Sequence, residues 1–352
     1  MSRQINVAIV GATGAVGREM LSTLESLELP VGEVRVFASP SSLGVSIPFR
    51  SRELVVQTVE PGCFKGVDVV LGATSASIAR AYVPQAVSEG ALVIDNSSAF
   101  RMDPKIPLVV PEVNADQIPR AKSGIVANPN CSTIQMVVAL RPLQQAAGLD
   151  RVVVSSYQST SGTGQKGMEA LSREVLRLYK QSHLATSEEE LEQAEQEDEA
   201  SPYPHPIAFN AIPQIGDFLP DGSTTEERKM VLESRKILDQ ADLKVSATCV
   251  RVPWFACHAL SVNVTLQKSL TLAEVRSLLE NFPGVVVQDE PSESHYPMPF
   301  PLAGSDDVYV GRLRVDPSAP NAFNMWIVAD NLRKGAALNA VQILEHWLKM
   351  DL

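Results

Sequence analysis

Along the first 130 residues, short β-branched apolar runs alternate with segments in which apolar residues recur every three or four positions. The runs predict five strands, at 5–10, 34–38, 67–71, 92–95 and 125–127. Helices are predicted between them, beginning at about Val16 and at Ser75. Strands that alternate with helices in this way are typical of a parallel, doubly wound α/β sheet.

After Asn130 the apolar pattern changes. Longer alternating runs predict strands at 152–157, 245–252, 260–266, 308–315 and 322–328, and helical periodicity covers 131–147, 167–181 and 272–281. This arrangement predicts a mixed or antiparallel sheet covered by helices on one face. A last helix over 336–349 is expected to return to the first part of the chain. We therefore predict two domains, one of residues 1–130 and 331–352 and one of residues 131–330.

Composition excludes several classes of protein. Hydrophobic residues make up 45% of the 352 residues and charged residues 20%, as in ordinary globular proteins. The net charge of -11 argues against binding to nucleic acid or to an anionic membrane surface, and eight carboxylates in the segment 188–199 account for most of it. We read that segment as a solvated helix or loop. Four cysteines, no signal peptide and no apolar run of about 20 residues predict a cytoplasmic protein without a disulfide framework.

A glycine-rich turn follows the first predicted strand directly and opens the first predicted helix. It reads Gly11-Ala12-Thr13-Gly14-Ala15-Val16-Gly17. Small residues at this place let the backbone approach a pyrophosphate, which the free N–H groups of the helix start can bind. The turn predicts a dinucleotide site, and the alternative is a tight packing turn.

The end of the second predicted strand indicates which dinucleotide is bound. NAD enzymes usually carry a carboxylate there for the ribose hydroxyls. Here the chain has Ser39, Ser41 and Ser42, whose hydroxyls could bond a 2′-phosphate. This composition favours NADP, although no arginine strengthens the preference.

Cys131 stands between a strand end and a helix start, within Asn128-Pro129-Asn130-Cys131-Ser132-Thr133. The dipole and the unpaired N–H groups of a helix start stabilise a thiolate and can hold an oxyanion. Cys63, Cys249 and Cys257 lack this setting, and we expect packing roles for them. No spacing of cysteines or histidines suits zinc, so no metal site is predicted. Five histidines are candidates for acid–base chemistry, namely His183, His205, His258, His295 and His346.

Seven ordered segments along nearly the whole chain resemble those of the aspartate-semialdehyde dehydrogenase family. They are the glycine-rich turn, Asp95-Asn96-Ser97-Ser98-Ala99-Phe100-Arg101, Pro129-Asn130-Cys131-Ser132-Thr133, Tyr157-Gln158-Ser159-Thr160-Ser161-Gly162-Thr163-Gly164, Thr225-Glu226-Glu227-Arg228-Lys229-Met230, Arg251-Val252-Pro253 and Asp330-Asn331-Leu332-Arg333-Lys334-Gly335-Ala336-Ala337. The resemblance implies a Rossmann-type NADP-binding domain and an α+β catalytic and dimerisation domain. It also implies reduction of β-aspartyl phosphate to aspartate semialdehyde with NADPH, on the route to diaminopimelate, lysine, threonine, methionine and isoleucine.

The resemblance assigns the catalytic roles. Cys131 is implied to attack the acyl phosphate and carry a thioester, Gln158 to position the acyl group, and His258 to handle the thiol proton. The substrate-binding residues it implies, with Gln158, are Arg251 at the carboxylate, Glu226 at the amino group, Arg101 and Lys229 at the phosphate, and Asn130 beside the nucleophile. The three cations predict a locally basic pocket.

A cofactor set and a partner are also implied. The cofactor-binding residues are Gly11, Thr13, Gly14, Ala15, Val16, Gly17, Ser39, Ser41, Ser42, Ser161, Gly162 and Asn331. The partner is a second copy of the chain, in a homodimer or a homotetramer.

The spacing of Glu226 and Lys229 can also be interpreted without the resemblance. A helix beginning with the capping box Thr224-x-x-Glu227 places them on one face, three residues apart. A surface ion pair is the simpler interpretation, and a substrate site is the one that the resemblance favours.

The chain departs from the family pattern at three places. Ser41 stands where the family usually has an arginine that contacts the 2′-phosphate, so NAD remains open as a cofactor. The segments around His258 (Cys257-His258-Ala259-Leu260) and at Gly72-Ala73-Thr74-Ser75 also differ. A divergent paralogue that binds a nucleotide or a partner is therefore kept as an alternative. An enzyme like N-acetyl-glutamyl-phosphate reductase, which shares the fold and the thioester chemistry, is a second alternative. Asn130-Cys131-Ser132 argues against it, because that enzyme is expected to have Gly-Cys-Tyr at the nucleophile.

Overall fold

The computed structural model describes residues 4–120, 124–181 and 201–350. The acidic segment 188–199 and His183 lie outside the described residues, so the predictions made for them are left as they stand. Within the described part, the chain forms two large sheets with helices packed against them, and a small hairpin.

The first sheet is built from β1 (Ile5–Val10), β2 (Val31–Phe37), β5 (Val69–Gly72), β6 (Leu92–Asp95) and β7 (Ile125–Ala127). All its pairings are parallel, in the order β2-β1-β5-β6-β7. Helix α1 (Ala15–Ser26) packs on one face and α2 (Ala76–Ser88) on the other, and a short α3 (Pro111–Asn114) follows. The prediction of a parallel, doubly wound sheet is confirmed.

A hairpin of β3 (Ser46–Phe49) and β4 (Arg52–Val55) was not predicted. Each strand has only four residues, and Pro48 interrupts the first. Such short, partly exposed strands leave little periodicity to detect.

The second sheet contains β8 (Leu149–Gln158), β9 (Lys244–Arg251), β10 (His258–Leu266), β11 (Val285–Val287), β12 (Val308–Val315) and β13 (Ala322–Ala329). Their order is β11-β12-β13-β10-β8-β9, with parallel pairs at both edges and antiparallel pairs between. The remaining helices are α4 (Cys131–Ala147), α5 (Gln165–Gln181), α6 (Thr225–Ile237) and α7 (Leu272–Glu280). Apolar residues of α4 share one core with Val152, Val154 and Val262 of the sheet. The predicted mixed sheet with helices on one face is confirmed.

The chain then returns to the first sheet. A π-helical turn, Arg333–Ala337, leads into helix α8 (Leu338–Met350), whose Val341 and Leu344 pack in one core with Ile9 of β1. This is the return expected from the sequence, three residues earlier than predicted and with a π-helical start. The division of the chain at residues 130 and 331 stays a prediction.

Within the described ranges, no helix has both the length and the apolar character that crossing a membrane requires.

Candidate active site

Three predicted site residues come together because of the register of the second sheet. Gln158, at the end of β8, is paired with Arg251 at the end of β9 and with His258 at the start of β10. Directly paired residues point to the same face of a sheet. That face is the one covered by α4, and all three side chains are buried. One end of three neighbouring strands therefore supplies three polar groups beneath the start of α4.

The nucleophile candidate, Cys131, is the first residue of α4 and is half-buried. Asn130 caps this helix, and its Oδ1 accepts from the backbone N–H groups of Ser132 and Thr133, both at 3.1 Å. These two N–H groups were expected to be free for an oxyanion, and the cap takes them instead. Asn130 itself is fixed, since its Nδ2 donates to Glu226 at 2.7 Å.

The thiol of Cys131 is protonated at neutral pH in this state. Burial raises its pKa to about 11, and the charge of Glu226 contributes in the same direction. Arg251, Arg101 and the N–H of Ser132 pull the pKa down, but by less. In the unliganded protein, desolvation of the thiol therefore outweighs the hydrogen bond from Ser132 at the helix start, and the stabilised thiolate stays a prediction.

Helix α6 carries Glu226, the carboxylate that the resemblance places at the substrate amino group. Its N-cap Thr224 forms the predicted capping box with Glu227. Lys229 donates to Glu226 across 3.0 Å, and the Glu226 side chain is only 7% exposed. The simpler interpretation, a surface ion pair, is therefore wrong.

Glu226 is held in its charged form. Burial raises its pKa, but the Lys229 charge and hydrogen bonds from Asn130, Lys229 and Gln158 outweigh burial and bring the pKa to about 2. A permanent negative charge thus lies beside the nucleophile.

The three predicted cations differ in their partners. Lys229 is paired with Glu226, and the buried Arg101 donates from Nη1 to Glu233 at 3.0 Å. Arg251 donates from Nη1 to the backbone oxygen of Ser159 at 2.5 Å, and no carboxylate among the described residues forms an ion pair with it. The expected basicity is thus offset at two of three positions, and Arg251 is the cation left without a countercharge.

His258 is fully buried and neutral. Burial, followed by the nearby Arg251 charge, lowers its pKa to about 3. Its Nδ1 accepts from the backbone N–H of Ser159 at 3.1 Å, so the proton of the neutral ring is assigned to Nε2. No partner for Nε2 is found within the described ranges.

A serine and asparagine network holds this histidine. The Ser159 hydroxyl lies 3.1 Å from Nδ1 and 3.0 Å from Oδ1 of Asn331, and Ser161 bonds both Ser159 and Asn331. Gly162 lies against the same group, since a Cβ there would meet Nη1 of Arg251 at 2.7 Å and Nε2 of His258 at 3.3 Å. A side chain at 162 would therefore displace the arginine or the histidine.

The other candidate histidines lie away from this cluster. His205 and His295 are exposed, and His295 bonds Glu290. His346, on α8, bonds the backbone oxygen of Gln342 within its own helix. Of the four histidines that the structure describes, His258 alone adjoins Gln158 and Arg251. Among the other cysteines, Cys249 and Cys257 are buried and Cys63 is half-buried. No group of metal-ligating side chains is found in the described part of the chain.

The glycine-rich turn is built for close backbone approach. Gly11 has φ +91°, and a Cβ there would meet the backbone oxygen of Ala73. A Cβ on Gly17 would meet the backbone oxygen of Gly11, so the start of α1 lies tight against β1. Gly14 is the N-cap of α1 and brings no side chain to its first turn. The N–H groups of that turn can therefore bind a phosphate, as the sequence predicts for Thr13 to Val16.

The Ser39–Ser42 turn adjoins the end of β2. Ser39 and Ser41 are exposed, and their hydroxyls lie 2.8 Å apart. No carboxylate is bonded to either hydroxyl in the described residues. The turn therefore presents two neutral hydroxyls to the region beside the glycine-rich turn.

One cleft connects the start of α1 with Cys131. The predicted site residues that line it are Val16, Arg101, Asn130, Cys131, Gln158, Ser161, Gly162, Glu226, Lys229, Arg251 and Asn331. His258, the rest of the glycine-rich turn and the three serines are not among the residues that line it. On the far side of the nucleophile lies Gly335 of the π-helical turn, where a Cβ would meet Cβ of Cys131 at 2.9 Å.

Sequence reasoning missed two residues of this cluster. Ser159 lies in the segment 157–164, which carries part of the family resemblance, but only the structure shows that its backbone N–H fixes the ring of His258. Glu233 lies seven residues after Glu226 on the same helix, and that spacing was the available signal. It is buried and bonds Arg101 and the backbone of Asn130.

Comparison with known proteins decides the family. The model of the semialdehyde dehydrogenase NAD binding domain matches residues 6–121, and that of the semialdehyde dehydrogenase dimerisation domain matches residues 140–334. An aspartate-semialdehyde dehydrogenase of Bacillus subtilis is 45% identical over 353 residues, covering 100% of both chains. The chain belongs to the aspartate-semialdehyde dehydrogenase family. The predictions of an oxidoreductase of amino-acid biosynthesis and of a Rossmann-type domain that binds a nicotinamide dinucleotide are confirmed.

Further relatives agree with this assignment. An aspartate-semialdehyde dehydrogenase of Aquifex aeolicus is 47% identical over 348 residues, covering 98% of each chain. The crystal structure of aspartate semialdehyde dehydrogenase II of Vibrio cholerae, described as complexed with ASA, has a TM-score of 0.90 and 40% identity, covering 99% of each chain. The fold described above is thus shared, over 99% of the chain, with a solved aspartate semialdehyde dehydrogenase.

Proposed function

We propose that the chain reduces β-aspartyl phosphate to aspartate semialdehyde and phosphate through a thioester on Cys131, and that the reaction is reversible. The observation that carries the proposal is the position of Cys131 at the start of α4, above Gln158, Arg251 and His258. In the first step the Cys131 sulfur bonds the acyl carbon, and the bond to the phosphate oxygen breaks. In the second, hydride and a proton convert the thioester into the aldehyde and free thiol.

The proton chemistry falls to His258. Because Nδ1 accepts from Ser159, the neutral ring presents a donor at Nε2, which suits the oxygen of the acyl group where negative charge develops. Gln158 adjoins the same position and orients that group. The resemblance implies that the thiol proton passes through this imidazole. Nε2 can take it up in the other tautomer, whose Nδ1–H donates to the Ser159 hydroxyl at 3.1 Å, and return it to the Cys131 sulfur when the aldehyde forms.

Each charged side chain of the site suits a different charged group of the substrate. Arg251, which has no carboxylate partner within the described ranges, suits the α-carboxylate of the substrate. Glu226, charged down to low pH, suits the amino group. Arg101 and Lys229 suit the phosphate, and Asn130 holds the nucleophile loop. The relative from Vibrio cholerae, described as complexed with ASA, supports this class of ligand.

The proposed cofactor is NADP, bound along the cleft from the glycine-rich turn to Ser161, Gly162 and Asn331. When bound, it would supply the hydride for the second step. The uncapped first turn of α1 would hold the pyrophosphate, and the hydroxyls of Ser39, Ser41 and Ser42 the 2′-phosphate. With no arginine at position 41, NAD is the second cofactor to test.

The proposed assembly is a homodimer through the face of the second sheet opposite α4. Tyr157 and Trp326 lie on that face with ring centroids 5.5 Å apart. Nε1 of Trp326 donates to the backbone oxygen of Pro297, and Phe300, three residues further along, is 95% exposed. The match to a dimerisation domain over 140–334 supports dimerisation by this part of the chain, which contains that face. A tetramer and a cytoplasmic location stay predictions.

The test follows nicotinamide absorbance when purified protein is mixed with aspartate semialdehyde, phosphate and NADP or NAD. Phosphate-dependent reduction of NADP is expected. Cys131→Ala should abolish it, whereas Cys63→Ala, a matched change far from the cleft, should not. Absence of reduction with both cofactors would refute the enzyme, and activity that survives Cys131→Ala would refute the thioester.

A further inference from the structure

Glu233 is a buried carboxylate that accepts hydrogen bonds from two different donors. It lies on α6 and its side chain is only 2% exposed. Its Oε1 accepts from Nη1 of Arg101 at 3.0 Å, and its Oε2 accepts from the backbone N–H of Asn130 at 2.6 Å. Each carboxylate oxygen therefore holds a different part of the site, and these parts come from distant places in the sequence.

The first partner, Arg101, is fixed from two sides. Nη1 is bound by Glu233, and Nη2 donates to the backbone oxygen of Asn96 at 2.7 Å. Its Nε is buried and has no partner among the described residues, and Arg101 lines the cleft. The two bonds thus set the plane of the guanidinium, and with it the directions of its remaining N–H groups.

The second partner is the loop that carries the nucleophile. Asn130 is gripped at two atoms by α6, its side chain by Glu226 and its backbone N–H by Glu233. The loop after Arg101 is attached to the same helix, because Nζ of Lys236 donates to the backbone oxygens of Arg101, Asp103 and Ile106 at 2.7–2.8 Å. One face of α6 therefore holds both loops in a fixed relation.

We propose that Glu233 is a positioning residue that orients Arg101 toward the phosphate and fixes the nucleophile loop at the matching distance. This rests on the proposed function, in which Arg101 binds phosphate. A carboxylate is required because both partners are donors. A glutamine at this position has a single acceptor oxygen, so its NH₂ group would face either Arg101 or the N–H of Asn130.

The test is a double-mutant cycle of Glu233→Gln and Arg101→Gln, read out by the phosphate KM and by protection of Cys131 from iodoacetamide by inorganic phosphate. The second readout needs no turnover. Glu233→Gln should raise both phosphate constants about tenfold with Arg101 present, and change them less than twofold with Arg101→Gln. It should lower kcat in both backgrounds, since the contact with Asn130 does not involve Arg101.

Asp289→Asn is the matched control. Asp289 is also a buried carboxylate that accepts from an arginine, Arg276, and from backbone N–H groups, but it lies at the other end of the second sheet. It should lower the thermal midpoint and leave the phosphate constants unchanged. If Glu233→Gln does not fold, Glu233→Asp keeps the charge with a shorter reach and should raise the phosphate constants as well.

An unchanged phosphate constant in Glu233→Gln, or the same increase in both Arg101 backgrounds, would overturn the proposal. A wild type that does not reduce NADP would refute the proposed function instead. In that case the protection measurement still decides whether Glu233 acts through Arg101.

Discussion

Asn130 donates from Nδ2 to Oε1 of Glu226 at 2.7 Å, which fixes a permanent carboxylate next to the helix start that carries Cys131. A negative charge at this place opposes ionisation of the thiol. Together with burial, it keeps the thiol protonated at neutral pH in the unliganded protein, whereas the groups that surround the thiol are already in place.

The first prediction concerns the reactivity of Cys131. The rate of its alkylation by iodoacetamide should rise with pH along a titration curve whose midpoint lies near 11, because burial and Glu226 raise the pKa of the thiol. Glu226→Gln should lower that midpoint by removing the negative charge. The modified peptide can be quantified by mass spectrometry, with Asp150→Asn, an exposed carboxylate, as control. A midpoint at or below 9 in the wild type would contradict the buried setting described for the thiol.

The second prediction concerns acid stability. Glu226 has a pKa of about 2 in the fold and about 4.5 in an unfolded chain, so its ionisation stabilises the fold above pH 4.5. This contribution, of the order of a few kcal/mol, is lost as the pH falls through 2. Urea unfolding should find Glu226→Gln less stable than wild type at pH 7, with a difference that shrinks below pH 4.5.

Glu280→Gln is the control for that measurement, since Glu280 forms an exposed pair with Arg276. It should cost only a few tenths of a kcal/mol at any pH. A constant gap between Glu226→Gln and wild type from pH 7 to pH 3 would mean that Glu226 contributes by packing alone.

The third prediction concerns Arg251. Arg251→Ala should raise KM for aspartate semialdehyde tenfold or more and change kcat less, because a carboxylate clamp acts in the ground state and the transition state alike. Arg228→Ala, on the exposed side of α6 in an ion pair with Asp221, should change neither. Steady-state kinetics at saturating cofactor checks this, and an unchanged KM would remove Arg251 from the carboxylate site.

The fourth prediction concerns cofactor choice. Ser41→Arg should increase the preference for NADP over NAD, because a guanidinium can bind the 2′-phosphate bidentately. The ratio of kcat/KM for the two cofactors is the measurement. Ser46→Arg, at an exposed position on β3, is the control for a general effect of added charge. If both variants shift the ratio equally, position 41 does not contact the 2′-phosphate.

Much of the fold could be predicted because the apolar periodicity is strong. The five parallel strands and helices α1, α2 and α4 followed from it, since buried strands and amphipathic helices leave distinct patterns. The hairpin of β3 and β4 left too few residues to detect. The position of Cys131 at a helix start was predictable from the local sequence, because the strand before it and the helix after it are both formed by neighbouring residues.

The electrostatics of the site could not be predicted in the same way. The raised pKa of Cys131 and the lowered pKa of His258 depend on burial and on Glu226 and Arg251, which are distant in sequence. The tie between Arg101 and Glu233 spans 132 residues. Sequence spacing within one helix indicates which of its residues share a face. Which residues of the sheet that face contacts depends on the strand register, and the sequence spacing does not give the register.

The contact between Gly335 and Cys131 has a consequence for biosynthesis of the protein itself. The backbone that flanks the nucleophile belongs to a segment made about 200 residues after it, and that segment is held in place by α8 against the first sheet. A nascent chain that has released only the first 330 residues carries Cys131 without this wall. The site is therefore completed only when the final helix has left the ribosome and docked on the first sheet.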